Sequence, residues 1–221
     1  MKLTRHKVIT PLMEELLLTI GRAFPSLTFI GGTALAEFHL GHRFSEDLDF
    51  AAKSLAAVDR VAGPLESVLN EGGFSVALAI PIRGAVVAHA GRKRGARVKI
   101  EISTNPHLDR RMTTVHRGLR IATPKLLMDL KWCALPREEM KDVFDLAALR
   151  RAGIHRPWPR EIPWAAAALA HAQIRLAEWG CGLPERPGWF RGSAGEWAEA
   201  VTAMRIFLET FSGEAAAFLR H

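Results

Sequence analysis

Two aspartates separated by one residue, Asp47 and Asp49, are the groups whose spacing first suggests chemistry in this chain. The segment Asp47 to Phe50 has the pattern of a strand, and residues i and i+2 of a strand point to the same face, about 6 to 7 Å apart. Paired carboxylates suit Mg²⁺ or Mn²⁺, because these cations take oxygen ligands from one or two carboxylates together with substrate phosphates. Two such ions can serve phosphoryl or nucleotidyl transfer.

A glycine pair precedes the aspartates at a turn between a strand and a helix. Gly31-Gly32-Thr33 follows a short apolar run that ends at Ile30, and Thr33 is expected to cap a helix from Ala34 to Leu40. Glycine permits close backbone approach, and the N–H groups at the start of a helix favour a bound phosphate. Either motif alone is more often an ordinary turn or surface feature, but their ordered combination predicts a nucleotide site.

Three further residues are candidates for the same site. Glu101 lies in a segment whose apolar and polar residues alternate, so its side chain is expected on the polar face, opposite Ile100 and Ile102. Glu101 could be a general base for the acceptor hydroxyl or a bridging metal ligand. Arg43 could bind phosphate or pair with a neighbouring carboxylate, and Ser45 lies between it and Asp47.

The elements that must position these residues change in type along the chain. Before about residue 121, helices alternate with strands, including a predicted hairpin of residues 85–90 and 96–103. After that point only helices are predicted, over residues 125–135, 138–150, 163–179 and 195–211. The sequence therefore predicts an α+β lobe with a mixed sheet over residues 1–121 and an all-helical lobe over residues 122–221 that completes the nucleotide cleft.

The positive charge of the chain is concentrated in one segment. The net charge is +7, and residues 91–120 alone carry nine basic against two acidic residues, which is 9 − 2 = +7. A local basic field attracts polyanions, which favours a nucleotide or nucleic acid as partner. No apolar run is long enough to span a membrane and no secretory signal is present, so a cytoplasmic location without membrane contact is expected.

Three motifs together resemble the AbiEii/AbiGii toxin family of nucleotidyltransferases, which belongs to the DNA-polymerase-β-like nucleotidyltransferase superfamily. They are Gly31 to Leu35, Arg43 to Phe50, and the stretch from Lys131 to Leu146. The resemblance implies transfer of a nucleotide from an NTP, with Asp47 and Asp49 binding metal. It further implies that Lys131 contacts nucleotide phosphates, that Asp142 completes the site, and that Ser45 matches a serine modified in some relatives.

The resemblance also suggests partners, and alternatives remain at this stage. It favours RNA, a tRNA 3′ end in particular, as acceptor, and a role as the toxin of a toxin–antitoxin or abortive-infection system with a cognate antitoxin. The acceptor could instead be a small molecule or a protein hydroxyl, or the chain could bind nucleotide or RNA without turnover. Lys131 could be a solvated helix residue, and Asp145 could form an ordinary i,i+4 pair with Lys141.

Overall fold

The computed structural model describes residues 5–106, 108–137, 139–155, 174, 177–178 and 182–218, and of residues 78–81, 110 and 214–218 it describes the backbone only. The chain divides into two compact units, Met1–Leu126 and Leu127–His221. The helix predicted for residues 163–179 falls largely outside the described residues. Within the described part of the chain, no helix combines the length and apolar character needed to cross a membrane.

The first unit is an α+β structure built on one seven-stranded sheet. Its helices are α1 (Pro11–Ala23), α2 (Gly31–Leu35), α3 (Leu55–Ala62) and α4 (Leu65–Glu71), and α2 continues as a π-helical turn, Ala36–Leu40. Its strands are β1 (Thr28–Ile30), β2 (Leu48–Ala52), β3 (Ser75–Ile82), β4 (Ala85–Gly91), β5 (Arg97–Thr104), β6 (Thr113–His116) and β7 (Leu119–Ala122). A 3₁₀ turn at Arg110–Met112 precedes β6.

The sheet is mixed, as predicted, with strand order β3-β4-β5-β2-β1-β7-β6. Strand β2 lies at its centre, parallel to β5 and antiparallel to β1, while β1 runs parallel to β7. One face is apolar and carries fully buried side chains such as Phe29, Phe50 and Ile100. Side chains alternate between faces along a strand, so the neighbours of these residues point to the opposite, more polar face.

The hairpin of β6 and β7 was not predicted from the sequence. Its two-residue turn is Arg117-Gly118, and both residues have positive φ, 51° and 81°. Two-residue hairpin turns of this class need positive φ at both central positions, which Asn-Gly or Asp-Gly usually supply. Arg117 is an unusual residue at such a position, so the turn signal in the sequence is weak.

Two prolines act differently from what the sequence predicts. The sequence pattern from Val58 to Asn70 predicts one helix, but the structure has two, α3 and α4, separated at Gly63-Pro64, because proline lacks the N–H that a continuous helix requires. Pro81 was expected to end its strand, yet β3 continues to Ile82. Strand β3 is at the edge of the sheet, where a proline is tolerated because one side of the strand has no partner.

The described elements of the second unit are helices: α5 (Pro124–Ala134), which begins in the first unit, a 3₁₀ turn (Leu135–Arg137), α6 (Met140–Arg151) and α7 (Ala194–Phe218). Its core includes Trp132, whose ring centroid lies 5.4 Å from that of Phe207 and 5.3 Å from that of Phe211. Buried aromatic contacts of this kind stabilise helix packing beyond simple burial.

Candidate functional site

The candidate carboxylates of the first unit come together on two neighbouring strands. Asp49 of β2 is the register partner of Glu101 of β5, and the two strands are parallel. Neighbouring strands are about 4.8 Å apart, and register partners point to the same face, so Asp49 and Glu101 share the polar face of the sheet. Asp47 immediately precedes β2. We call Asp47, Asp49, Glu101 and the adjacent Lys99 the sheet cluster.

Lys99 holds the Glu101 carboxylate. Its Nζ donates a hydrogen bond to Glu101 Oε2 at 2.9 Å, from two residues away on the same face of β5. The pKa of Lys99 is raised, first by this hydrogen bond and further by the negative charges of Glu101, Asp47 and Asp49, against the opposing effect of partial burial. The Lys99 ammonium is therefore the resident cation of the sheet cluster.

Gly31 and Gly32 are required because neighbouring side chains occupy the space that a Cβ atom would fill at either position. Gly31 has a φ of +77°, and a Cβ atom there would lie 2.0 Å from Asp49 Oδ2. A Cβ atom on Gly32 would lie 1.8 Å from a terminal guanidinium nitrogen of Arg43. Any larger residue at either position would displace a charged side chain of the site, so the glycines set how closely Asp49 and Arg43 approach helix α2.

Thr33 has a different role from the predicted helix cap. Helix α2 begins at Gly31, so Thr33 lies inside the helix and its side chain points into the site. The Thr33 hydroxyl is hydrogen bonded to the Asp47 carbonyl oxygen at 2.5 Å and to the Ser45 hydroxyl at 2.7 Å. Thr33 thereby ties the loop that carries Ser45 and Asp47 to the glycine turn.

Arg43 is buried, with 3% of its surface exposed. One of its terminal nitrogens donates to the Phe44 carbonyl oxygen at 2.9 Å, and the other packs on Gly32. A buried guanidinium with several rigid contacts positions the backbone around it. These contacts make Arg43 a support of the glycine turn, and its predicted contact with phosphate stays a prediction.

A second support of this helix, Glu37, was missed by the sequence analysis. Glu37 lies fully buried on the π-helical turn that continues α2. Its carboxylate accepts hydrogen bonds from Arg5 Nε and the Val8 backbone N–H, both at 2.7 Å, and from the Ile9 N–H at 3.4 Å. The sequence offers no direct signal for this role, because a glutamate in a helix is usually exposed.

The donor atoms of the sheet cluster fit a magnesium or manganese ion that phosphates help to bind. The carboxylates supply hard oxygen ligands, and a lysine ammonium already occupies the cation position next to one of them. Within the described ranges, no three histidine, cysteine, aspartate or glutamate side chains are arranged to hold a metal ion by themselves. The predicted ligand set of Asp47, Asp49 and Glu101 therefore stays a prediction.

The candidate residues of the second unit, Lys131 and Asp142, belong to a charged network that is buried except for Arg137. Lys131 Nζ lies 2.6 Å from Asp142 Oδ1 and 2.6 Å from Asp145 Oδ2. Arg137 donates to both carboxylate oxygens of Asp142, at 2.9 and 3.2 Å. We call these four residues the helical cluster. Two positive and two negative groups balance, which is how buried charges are normally tolerated.

The structure distinguishes between two alternatives for the helical cluster. Lys131 is almost fully buried, so it is not a solvated helix lysine. Asp145 contacts Lys131, while Lys141 pairs with Glu139 at 2.7 Å. Lys131 and Asp142 contact each other directly, and their further partners in the cluster, Asp145 and Arg137, were not among the candidate site residues.

The basic segment of residues 91–120 is divided by the sheet order. Its first part forms the turn between β4 and β5, where Lys93, Arg94 and Arg97 are exposed, and its last part lies on β6 and β7, beyond the central strands. Arg92 has a structural role, because its guanidinium lies 4.4 Å from the centroid of the Phe74 ring and donates to the Gly73 carbonyl oxygen at 2.8 Å. The segment is therefore not one continuous basic patch.

Lys99 was not predicted as a residue of the sheet cluster, although the sequence contains a signal for it. It was counted only as part of the basic segment, although the alternation of Arg97, Lys99 and Glu101 already placed it beside Glu101 on the polar face. A lysine two residues from a candidate metal ligand on one strand is a usable signal of a local counter-ion.

Comparison with known families and structures identifies relatives for most of the chain. The sequence profile described as "Nucleotidyl transferase AbiEii toxin, Type IV TA system" matches residues 15–208. Among solved structures, JHP933 from Helicobacter pylori aligns at 16% identity over 93% of this chain and 90% of its own, with a TM-score of 0.57. MenT4, a nucleotidyltransferase toxin from Mycobacterium tuberculosis, aligns at 17% identity over 93% and 84%, with a TM-score of 0.50. Curated protein sequences yield no match.

Proposed function

This chain belongs to the AbiEii family of nucleotidyltransferase toxins, and from that premise we propose a metal-dependent transfer of an NMP from an NTP to a hydroxyl group of RNA. The observation that carries the proposal is the sheet cluster, in which Asp47 and Asp49 stand next to the glycine turn at Gly31-Gly32. Carboxylates beside a turn of this kind can hold a metal–triphosphate complex.

In this proposal the residues of the first unit have distinct roles in binding and catalysis. Asp47 and Asp49 hold Mg²⁺ or Mn²⁺ through their carboxylates, and the metal supplies charge neutralisation at the phosphates when bound. Gly31 and Gly32 let the triphosphate approach the backbone closely. Thr33, Ser45 and Arg43 hold the loop and the turn in register through the contacts described above. Glu101 is either the base that takes the proton from the acceptor hydroxyl or a further metal ligand.

Lys131 and Asp142 keep the roles that the family resemblance implies, a phosphate contact and completion of the site. Their burial means that substitution of Lys131 tests two properties at once, because removing the ammonium takes a cationic partner away from two buried carboxylates. Lys131→Arg keeps the positive charge. If this variant is as thermally stable as the wild type but transfers nucleotide more slowly, the loss supports a contact between Lys131 and phosphate.

The RNA acceptor, a tRNA 3′ end by resemblance, is supported by the exposed basic residues Lys93, Arg94 and Arg97 at the β4–β5 turn. Purified protein is incubated with labelled NTPs, Mg²⁺ and total tRNA. We expect label on RNA, and none with Asp47→Ala. If neither the wild type nor Asp47→Ala labels RNA, the RNA acceptor is rejected. Competition with small-molecule and protein acceptors then identifies the alternative, and a lack of metal-dependent pyrophosphate release with every acceptor would indicate a binding module without turnover.

The family also suggests a cognate antitoxin, and we propose that this chain acts as a cytoplasmic toxin restrained by such a partner. Expression of the chain alone is then expected to arrest growth, and Asp49→Ala is expected to relieve the arrest. Growth arrest that persists with Asp49→Ala, at equal protein levels, would separate toxicity from nucleotidyl transfer.

A further inference from the structure

The sheet cluster places one exchangeable cation among three carboxylates. Asp47, Asp49 and Glu101 carry three negative charges, Lys99 contributes one positive charge at Glu101, and the buried Arg43 guanidinium lies beside the same glycine turn as Asp49. Like charges this close repel one another, so the cluster favours any arrangement that brings in more positive charge. The raised pKa of Lys99, due first to its hydrogen bond with Glu101, is consistent with an ammonium group held in place by these carboxylates.

The contact between Lys99 and Glu101 is open to solvent. The two side chains are 38% and 39% exposed. Ion pairs of this exposure stabilise a protein only weakly, because water screens the attraction and the side chains lose rotational freedom. A divalent ion attracts a carboxylate more strongly than an ammonium group does, so the pair can open when a metal ion arrives at Asp49.

Glu101 is also within reach of such an ion. It is the register partner of Asp49 on a parallel strand, about 4.8 Å away in the direction of the sheet hydrogen bonds. A small rotation of the Glu101 side chain away from Lys99 would direct its carboxylate toward Asp49. The backbone need not move, because the pairing of β2 with β5 from Leu48 to Ala52 already places the two residues side by side.

We propose that Lys99 is a positioning residue whose ammonium holds Glu101 in the metal-free protein and releases it to the metal ion bound at Asp47 and Asp49. Glu101 is then a ligand that joins the site only when metal is present. The proposal rests on the proposed function, because it assumes a metal ion at the two aspartates. It assigns Glu101 to metal binding, and it assigns to Lys99 the control of when Glu101 is free to bind the ion.

The test measures Mn²⁺ binding to the full chain without nucleotide, by the electron paramagnetic resonance signal of free Mn²⁺. Lys99→Met is expected to lower the Mn²⁺ dissociation constant by up to about fivefold, because the metal no longer competes with an ammonium group for Glu101. Lys99→Gln, which keeps a polar side chain, is expected to act in the same direction. Thermal unfolding of both variants confirms that each is folded when its affinity is measured.

The double variant Lys99→Met/Glu101→Gln separates competition from simple charge. If Glu101 becomes a ligand, most of the gain in affinity disappears when its carboxylate is removed. An equal gain with and without the Glu101 carboxylate would overturn the proposal, since Lys99 would then act only through its charge. Unchanged affinity in Lys99→Met would also overturn it.

The pair Lys141–Glu139 provides a matched control. It is a lysine–glutamate pair two residues apart, 2.7 Å long, with side chains 39% and 41% exposed. Lys141→Met removes the same charge and is expected to leave Mn²⁺ affinity unchanged, whereas a gain equal to that of Lys99→Met would overturn the proposal. Asp49→Asn is expected to abolish the Mn²⁺ site. If the wild type binds no Mn²⁺ at a site that depends on Asp49, the metal assignment of the proposed function itself is rejected. If the wild type binds Mn²⁺ normally but substitution of Lys99 has no effect, only the role of Lys99 is rejected.

Discussion

The two charged clusters of this chain contain similar groups in opposite environments. In the sheet cluster, Lys99 and Glu101 are more than one third exposed, whereas in the helical cluster Lys131 is 7% exposed and both aspartates are fully buried. An exposed pair can exchange partners at little cost, but a buried charge that loses its partner costs about 3 to 5 kcal/mol. The comparison indicates that the sheet cluster is suited to binding and releasing ions and the helical cluster to holding a fixed geometry.

The largest expected effect is on catalysis in the sheet cluster. Asp49→Asn keeps the size of the side chain but removes the charge that holds the metal, so we expect nucleotidyl transfer to fall by about 10³-fold. The melting temperature should stay close to that of the wild type, because the cluster is partly solvated. Label transfer and thermal unfolding measure the two quantities. Activity within tenfold of wild type would contradict the assignment of Asp49.

Lys131→Met in the helical cluster should show the opposite pattern. Removing the ammonium leaves Asp142 and Asp145 buried, and the free energy of unfolding is expected to fall by about 3 to 5 kcal/mol. Chemical denaturation measures this loss. The triple variant Lys131→Met/Asp142→Asn/Asp145→Asn removes the unbalanced charges and should recover much of the stability. A single variant as stable as the wild type would show that the cluster is less tightly coupled than its geometry indicates.

Gly32→Ala tests the close packing beside the sheet cluster. The new methyl group would lie 1.8 Å from the Arg43 guanidinium, which has little room to move because Arg43 is buried. Overpacking of this kind costs about 1 to 3 kcal/mol, and transfer activity should fall as the turn shifts. Gly63→Ala is the matched control, because a Cβ atom there meets nothing within 4 Å. Equal effects of the two substitutions would reject a specific role for the Gly32–Arg43 contact.

The smallest expected effect is a pH dependence at His39. Burial lowers the pKa of His39, a hydrogen bond with the Ala122 carbonyl oxygen at 2.9 Å opposes the shift, and the charge of His6 adds to it. A histidine whose folded pKa is lowered favours the neutral form, so its contribution to stability is complete above about pH 6.5 and declines as pH falls through the folded pKa.

The measurement is the melting temperature of wild type and His39→Gln between pH 7.5 and pH 5. Other groups also titrate in this range, so the informative quantity is the difference between the two proteins. The wild type should lose more stability than the variant as the pH falls. Parallel curves would show that His39 takes up its proton as readily in the folded protein as in the unfolded chain.

The site could be predicted where the relevant groups are close in the sequence. Alternation predicted that Asp47 and Asp49 lie close together, although the strand begins only at Leu48, and the β4–β5 hairpin around the turn at residues 92–96 was predicted correctly. The position of Glu101 on the polar face also followed from alternation. Its pairing with Asp49 did not, because the register between two parallel strands depends on a long connection that carries no local signal.

Contacts between distant segments were not predictable for the same reason. Glu37 binds Arg5 from 32 residues away, and Lys131 binds Asp142 from 11 residues away. The hairpin of β6 and β7 was missed because Arg117 is an unusual residue at a turn position with positive φ. For Glu37 and Lys131 the residue type alone suggested an exposed side chain, whereas the structure buries both.

The sequence by itself determined the family of the protein and predicted the residues of its site, since the glycine turn, the aspartate pair and the later lysine and aspartate form ordered motifs. Only the tertiary structure decided which of these charges are open to solvent. Exposure depends on how strands and helices pack, and it is exposure that separates the exchangeable pair of Lys99 and Glu101 from the fixed network around Lys131.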